Sequence, residues 1–323
     1  MDWIGNALVM SGTVSMLVAL TQAGTRYPWG SWQTLVPLLL GLLGLILFGI
    51  WESRNFSEGT LELMPARLFH HRTSQIAIIN TFIHWMLVYW GLYFLPLYFQ
   101  AVFLYSAQRT GVALLPMSLV AIPGSAVSAM AVARWGRFKV LHIVGELIFT
   151  LGLGLFALQT ERTTIAEWAT FQSICAMGAG MILDTLLPAL QAPVAESDQA
   201  AVTSAWAFIR TVGGVWGVAI PAAIFNNRVD QLAHLISDPK ARHLMKGGGA
   251  YQYASATFVR SFAEPVQTEI RYVYSEALKL VFLVAVAFGG IACLLFLLEK
   301  DVKLRTELET EYGLSEVTEK REI

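Results

Sequence analysis

The chain has 323 residues, 55% of them hydrophobic and 14% charged, which leaves too little polar surface to dress a soluble globule of that size. Its net charge of −1 argues neither for a nucleic acid nor for an acidic partner, and the basic residues that matter are local. The lipid bilayer is the expected solvent for most of the molecule.

A helix needs roughly 20 mostly apolar residues to cross the hydrocarbon core. Stretches of that kind run in chain order near 3–22, 34–52, 75–100, 108–133, 140–159, 165–189, 200–225 and 275–298. None alternates with the period of two that a membrane barrel strand requires, so the expected fold class is all-α integral membrane with about eight transmembrane helices. Gly41, Gly44, Pro96, Pro116, Pro123, Gly213 and Gly214 fall inside these stretches. Such residues are tolerated in a packed membrane bundle, where small side chains let backbones approach and neighbours absorb kinks. The first span, reached almost at once after Met1, is expected to act as its own insertion signal.

Four regions follow: a two-span hairpin over 1–52, a cytosolic linker over 53–74, a six-helix bundle over 75–298 that includes an extracytoplasmic loop at 226–274, and a cytosolic tail over 299–323. The loop and the tail read as appendages. Arg54, Arg67, Arg72, Arg134, Arg137, Lys139, Lys300, Lys303 and Arg305 would then lie on the inner side and Arg26, Arg109 and Arg162 on the outer, an asymmetry that puts both termini in the cytosol. The long 226–274 loop carries basic residues that run against this bias. The sequon Asn55-Phe56-Ser57 falls on the inner side and is expected to be unmodified. Cys175 and Cys293 lie within spans and read as small packing residues.

Four motifs carry a resemblance. Tyr93-Phe94-Leu95-Pro96-Leu97-Tyr98-Phe99-Gln100-Ala101-Val102 closes the third span, and Gly111-Val112-Ala113-Leu114-Leu115-Pro116 opens the fourth. Leu190-Gln191-Ala192-Pro193 and Phe208-Ile209-Arg210-Thr211-Val212-Gly213-Gly214-Val215-Trp216-Gly217-Val218-Ala219 come later. Together they resemble fungal members of the major facilitator superfamily, in the fourteen-span drug:proton antiporter group. The resemblance covers nearly the whole chain to residue 298 and implies a partial major facilitator fold, the two central spans plus the C-terminal six, lacking the N-terminal six-helix half. It also implies proton-coupled efflux of small amphipathic drugs, toxins or secondary metabolites, most naturally at the plasma membrane, with the vacuolar membrane as the other possibility. In such exporters the absent half carries the antiporter signature, so this chain is not expected to transport alone. Its implied partners are a small amphipathic substrate, protons, the lipid bilayer and a missing N-terminal half. The alternative is a non-transporting half that serves as a regulatory or binding subunit, or a truncated gene product. The inner loop Arg134-Trp135-Gly136-Arg137-Phe138-Lys139 is similar to the superfamily's basic loop signature, but Ala133 stands where an acidic residue usually precedes it.

Charged side chains inside a membrane usually face a cavity or a partner. Arg210 sits about 15 Å into its span, and Trp206, Arg210, Gly213 and Gly217 share one helical face. Arg210 either presents a cation to the substrate cavity or ties two helices together. Asp184 is its expected partner, and unpaired it would be a protonation site. Glu146 either serves the proton pathway or snorkels toward Arg137 or Lys139. On the third span Asn80, His84, Gly91 and Tyr98 form a polar stripe, with His84 either a proton carrier or a neutral buried ring. Trp85, Tyr89, Trp90, Tyr93 and Tyr98 line a greasy pocket or simply pack, and Tyr98 and Gln100 are binding candidates through their motif. No paired metal-ligand motif, phosphate loop or nucleophile elbow occurs, and His70-His71 has no carboxylate or thiolate nearby in sequence. Neither an enzyme nor a cofactor is expected.

Overall fold

The computed structural model describes residues 2–24, 26–53 and 66–300. The sequon, Arg54, Lys303 and Arg305 lie outside the described residues. Among the described residues eight helices are long and apolar enough to cross a membrane, and helices account for all the regular structure apart from one isolated bridge between Ala23 and Tyr27. The expected all-α membrane fold is what the chain adopts.

The hairpin consists of α1 (Trp3–Gln22) and α2 (Trp32–Ser53). Asp2 caps α1 by accepting from the Gly5 amide, and its carboxylate also accepts from Trp51 Nε1 at the far end of α2. One side chain thus fixes both a helix start and the closure of the hairpin. Little of either helix is buried, and Leu39, Leu40 and Ile46 face outward, as a lipid-facing surface requires.

The bundle is built around α3 (Arg72–Leu97), the most buried of the long helices. Trp90, Phe94 and Phe99 are fully buried there, beside Phe225, Tyr274 and Phe282 from later helices. Pro96 removes a helix donor near the end of α3, and the chain continues as a π-helical turn over Tyr98–Val102. After α4 (Ala107–Ala113) comes α5 (Leu115–Trp135), closed by left-handed Gly136. Next follow α6 (Lys139–Phe156), α7 (Ile165–Leu183) with a Thr164–Glu167 capping box, and α8 (Leu186–Gln191). The sixth apolar stretch is therefore broken at Asp184 and Thr185 rather than continuous.

The last two spans are longer than the hydrophobic pattern indicated. α9 runs Gln199–Leu232 and α13 runs Glu264–Leu297, with short helices α10 (Pro239–Met245), α11 (Gly249–Gln252) and α12 (Ala256–Arg260) between them. Apolar residues of this connection, Ile236, Met245, Ala250 and Val259, are fully buried against the bundle. The connection is a packed cover, not an appendage, because its short amphipathic helices have an apolar face to bury. The start of the tail is also integrated, since Glu299 is buried and Lys139 Nζ donates to the carbonyls of Leu297 and Glu299.

Cross-links sort the connections into two ends. At one, Arg67 meets Asp198 at 3.3 Å, Thr73 donates to the Lys300 carbonyl, and Lys139 holds the end of α13. At the other, Asn227 donates to the Ala23 carbonyl, Arg260 to Leu104 and Arg271 to Val102.

α3 packs closely on α9, α5 and α6 both pack on α7, and α13 packs on α6. Glycine permits the close approaches. A Cβ at Gly213 would stand 2.5 Å from the Phe82 carbonyl oxygen and one at Gly217 would strike the Met86 carbonyl, so α9 lies backbone to backbone on α3. Gly178 of α7 plays the same part against Gly145 and Phe149 of α6.

Candidate functional site

α3, α5 and α7 enclose a cavity of about 260 Å³ whose walls include His84, Trp85, Leu92, Met117, Ala121 and Gly180. It is almost wholly apolar, with Ser118 on its wall and the His84 ring set into it, both ring nitrogens closed to solvent. A second hollow of about 560 Å³ lies between α1, α3 and α9 and is faced by Tyr89, Tyr93 and Gly214. Tyr89 and Tyr93 stack with ring centroids 6.2 Å apart. The aromatic set of α3 is thereby divided. Trp85, Tyr89 and Tyr93 face hollows, whereas Trp90 and Tyr98 are buried in the core. Tyr98 is hydrogen-bonded to Ser275 of α13 at 3.1 Å, and Gln100 sits half-buried in the π-helical turn.

Arg210 and Asp184 do not pair. The Arg210 guanidinium lies 3.7 Å over the Trp85 ring and 5.4 Å from that of Trp206. Asp184 accepts instead from the Ser125 hydroxyl of α5 and is exposed. The break between α7 and α8 turns Asp184 toward α5, and the two tryptophans give the cation an aromatic face that needs no carboxylate. Gly213 and Gly217, on the same helix as Arg210, lie against the α3 backbone at Phe82 and Met86.

Glu146 does not snorkel. It lies fully buried between α6 and α3, with Oε2 4.0 Å from His84 Nδ1, while Lys139 is engaged at the end of α13. The α6–α7 seam at Gly145 and Gly178 turns this face of α6 inward, so the carboxylate is too deep to reach a basic loop. His84 is equally buried, its ring 5.3 Å from Phe149, and Asn80 lies one turn before it on α3. Neither polar atom of Asn80, His84 or Glu146 has a hydrogen-bond partner within the protein. Three such side chains together are unusual, because buried polar groups are normally satisfied.

Sequence reasoning missed one group. His142 Nδ1 lies 2.9 Å from Glu299 Oε2, both side chains fully buried, with the His142 ring against Phe138 and Phe296. His142 falls four residues before Glu146 in the sequence, which is the signal that could have found it. Glu299 was hidden by its place in an apparently solvated tail. Among the described residues no cluster of His, Cys, Asp or Glu could hold a metal ion, and Cys175 and Cys293 are free thiols.

Helices of membrane-spanning length around an apolar cavity define a polytopic membrane protein. Comparison with known proteins narrows this. The chain is 56% identical over 315 residues to the MFS-type transporter TwmF of Talaromyces wortmannii, a match covering 97% of this chain and 57% of that protein. It is 38% identical to the MFS-type efflux pump LUC4 of a Fusarium species, covering 98% of the chain and 56% of the pump. The chain thus spans little more than half the length of the curated relatives it matches. No protein-family model matches the sequence. In fold it is similar to a bacterial homologue of the human lysosomal transporter Spinster in an inward-facing, unoccupied conformation, with a TM-score of 0.59, 17% identity, and coverage of 92% of this chain and 66% of that one. The relatives are named transporters and efflux pumps, in keeping with a chain that is not an enzyme.

Proposed function

We propose that the chain forms the central two-span hairpin and the C-terminal six-helix half of a fourteen-span drug:proton antiporter that exports small amphipathic compounds. The observation that carries this reading is the relationship to TwmF, which runs through 97% of the chain yet uses 57% of the relative. In this arrangement the cavity of α3, α5 and α7 supplies one wall of a substrate site near the midplane, and the other half supplies the facing wall. The apolar lining favours flat, greasy molecules over sugars or ions. The end of the bundle carrying Arg67, Arg72, Arg134, Arg137 and Lys139 is the cytosolic one by its charge. Residues 1–52, 53–74, 75–298 and 299–323 are then hairpin, linker, bundle and cytosolic tail, in the plasma membrane.

The test is the size of the native product, read by tagging the chromosomal C-terminus and blotting membranes. A band larger than 35.6 kDa by roughly 200 residues, the least that six further spans with loops need, is the expected result. A band near 35.6 kDa overturns this reading and favours a half that works as a binding or regulatory subunit.

A further inference from the structure

We propose that His84, Glu146, His142 and Glu299 form a proton relay through the interior of this half, from the cavity of α3, α5 and α7 to the end of the bundle where α13 finishes. The proposal deepens the proton-coupled reading above and rests on it for its direction, though not for its geometry.

The geometry is continuous in its order of groups. His84 is both a wall of the cavity and the neighbour of Glu146, at 4.0 Å. Glu146 and His142 stand one turn apart on α6, about 6 Å along the axis. Both are fully buried. His142 Nδ1 bonds Glu299 Oε2 at 2.9 Å, leaving His142 Nε2 and Glu299 Oε1 without a partner. Each member therefore has one polar atom engaged or facing the next member and another that is free, as a carrier of protons must. A purely structural pair would close its hydrogen bonds, since each buried unsatisfied group costs about 1–3 kcal/mol. Phe149, Phe138 and Phe296 surround the two imidazoles and shield the route from lipid.

The other titratable groups facing Glu146 are the thiols of Cys175 on α7 and Cys293 on α13. Arg210 of α9 is held on Trp85, and Lys139 is bound to the last carbonyls of α13. No cation among the described residues locks Glu146 as a permanent carboxylate.

One passage moves one proton. A hydronium ion reaching the cavity gives its proton to His84 Nε2 when a turn of the ring opens that nitrogen, closed to solvent in this state, to the cavity, and the Nδ1 proton passes to Glu146 Oε2. The neutral acid swings one turn and gives its proton to His142 Nε2, whose Nδ1 proton goes to Glu299 Oε2. Glu299, whose carboxylate is closed to solvent in this state, releases it to water when the end of α13 parts from α6. Both imidazoles finish in the other neutral tautomer and reset by ring reorientation. No electrons move.

The test uses the full-length protein in lipid vesicles, with infrared difference spectra across pH and with rhodamine 6G as the transported probe. The expected result is a protonated-carboxyl carbonyl band that titrates, disappears in Glu146→Gln and shifts in His84→Gln and His142→Gln. Proton movement linked to rhodamine 6G should fall about a hundredfold in Glu146→Gln and in His142→Gln, with dye binding retained. Absence of a titrating band that Glu146→Gln removes overturns the proposal. A titrating band with undiminished proton movement in Glu146→Gln reduces the cluster to a proton store and also overturns the relay. If wild-type rhodamine 6G movement is not linked to protons while the band titrates and responds to His142→Gln, the relay stands and the antiport reading falls.

Discussion

Two groups of polar side chains sit at membrane depth in this bundle, and they are satisfied in opposite ways. Arg210 and Asp184 look the more dramatic in sequence, yet each has a local partner, Trp85 for the cation and the Ser125 hydroxyl for the carboxylate. Asn80, His84 and Glu146 are milder residues, yet they are fully buried and none of their side-chain polar atoms is hydrogen-bonded within the protein. Formal charge is thus a poor guide to which buried residue is held in reserve. Unsatisfied hydrogen-bonding capacity is the better one, because burying a polar atom without a partner costs more than most proteins tolerate without a use for it.

The comparison can be broken most severely at the seam that creates the second group. Gly178→Leu places a side chain where a Cβ alone would stand 2.7 Å from Phe149 Cα, so α6 and α7 must part. We expect a loss of about 3 kcal/mol or more, seen as a fall in thermal midpoint in detergent and as little folded protein in membranes. Glu146→Leu sharpens the contrast with an effect of opposite sign. It removes an unsatisfied carboxylate, so stability should rise by about 1–3 kcal/mol, measured by the same thermal midpoint.

On the satisfied side the effects are smaller. Arg210→Gln removes the cation from the Trp85 and Trp206 faces and should cost about 0.5–2 kcal/mol. The accompanying change in tryptophan emission is the direct check, and Arg210→Lys should recover part of it. Asp184→Asn keeps a hydrogen bond to Ser125 at an exposed site and should stay within about 0.5 kcal/mol of wild type. A large loss in Asp184→Asn would mean that the carboxylate has a partner beyond the Ser125 hydroxyl.

How far the sequence could be read depended on the range of the interaction. The existence and order of the spans are local, since roughly 20 apolar residues must cross the membrane wherever they occur, and the eight stretches correspond to eight membrane-length spans among the described residues. The ends of α9 and α13 were misjudged because both helices continue as polar, amphipathic segments past the apolar run, held there by burial of Ile236, Met245 and Val259. Spacing on a single helix was also legible. Asn80 and His84 share a face of α3, and the Gly213–Gly217 face of α9 is a packing seam. Pairings between helices were not, and Arg210 and Asp184 do not pair because the break at Asp184 and Thr185 turns Asp184 toward α5.

The sequence by itself determined that this is a multi-span helical membrane protein, which helices it has and where small residues allow them to touch. Hydrophobic length, helical period and residue size are local quantities, read residue by residue. Tertiary structure alone decided which polar residues meet. Glu146 lies 62 residues from His84, and Glu299 lies 157 from His142. Only the rotation of α6 about the glycine seam, set by close packing against α7, α3 and α13, turns Glu146 and His142 inward, away from the basic loop that linear proximity favoured.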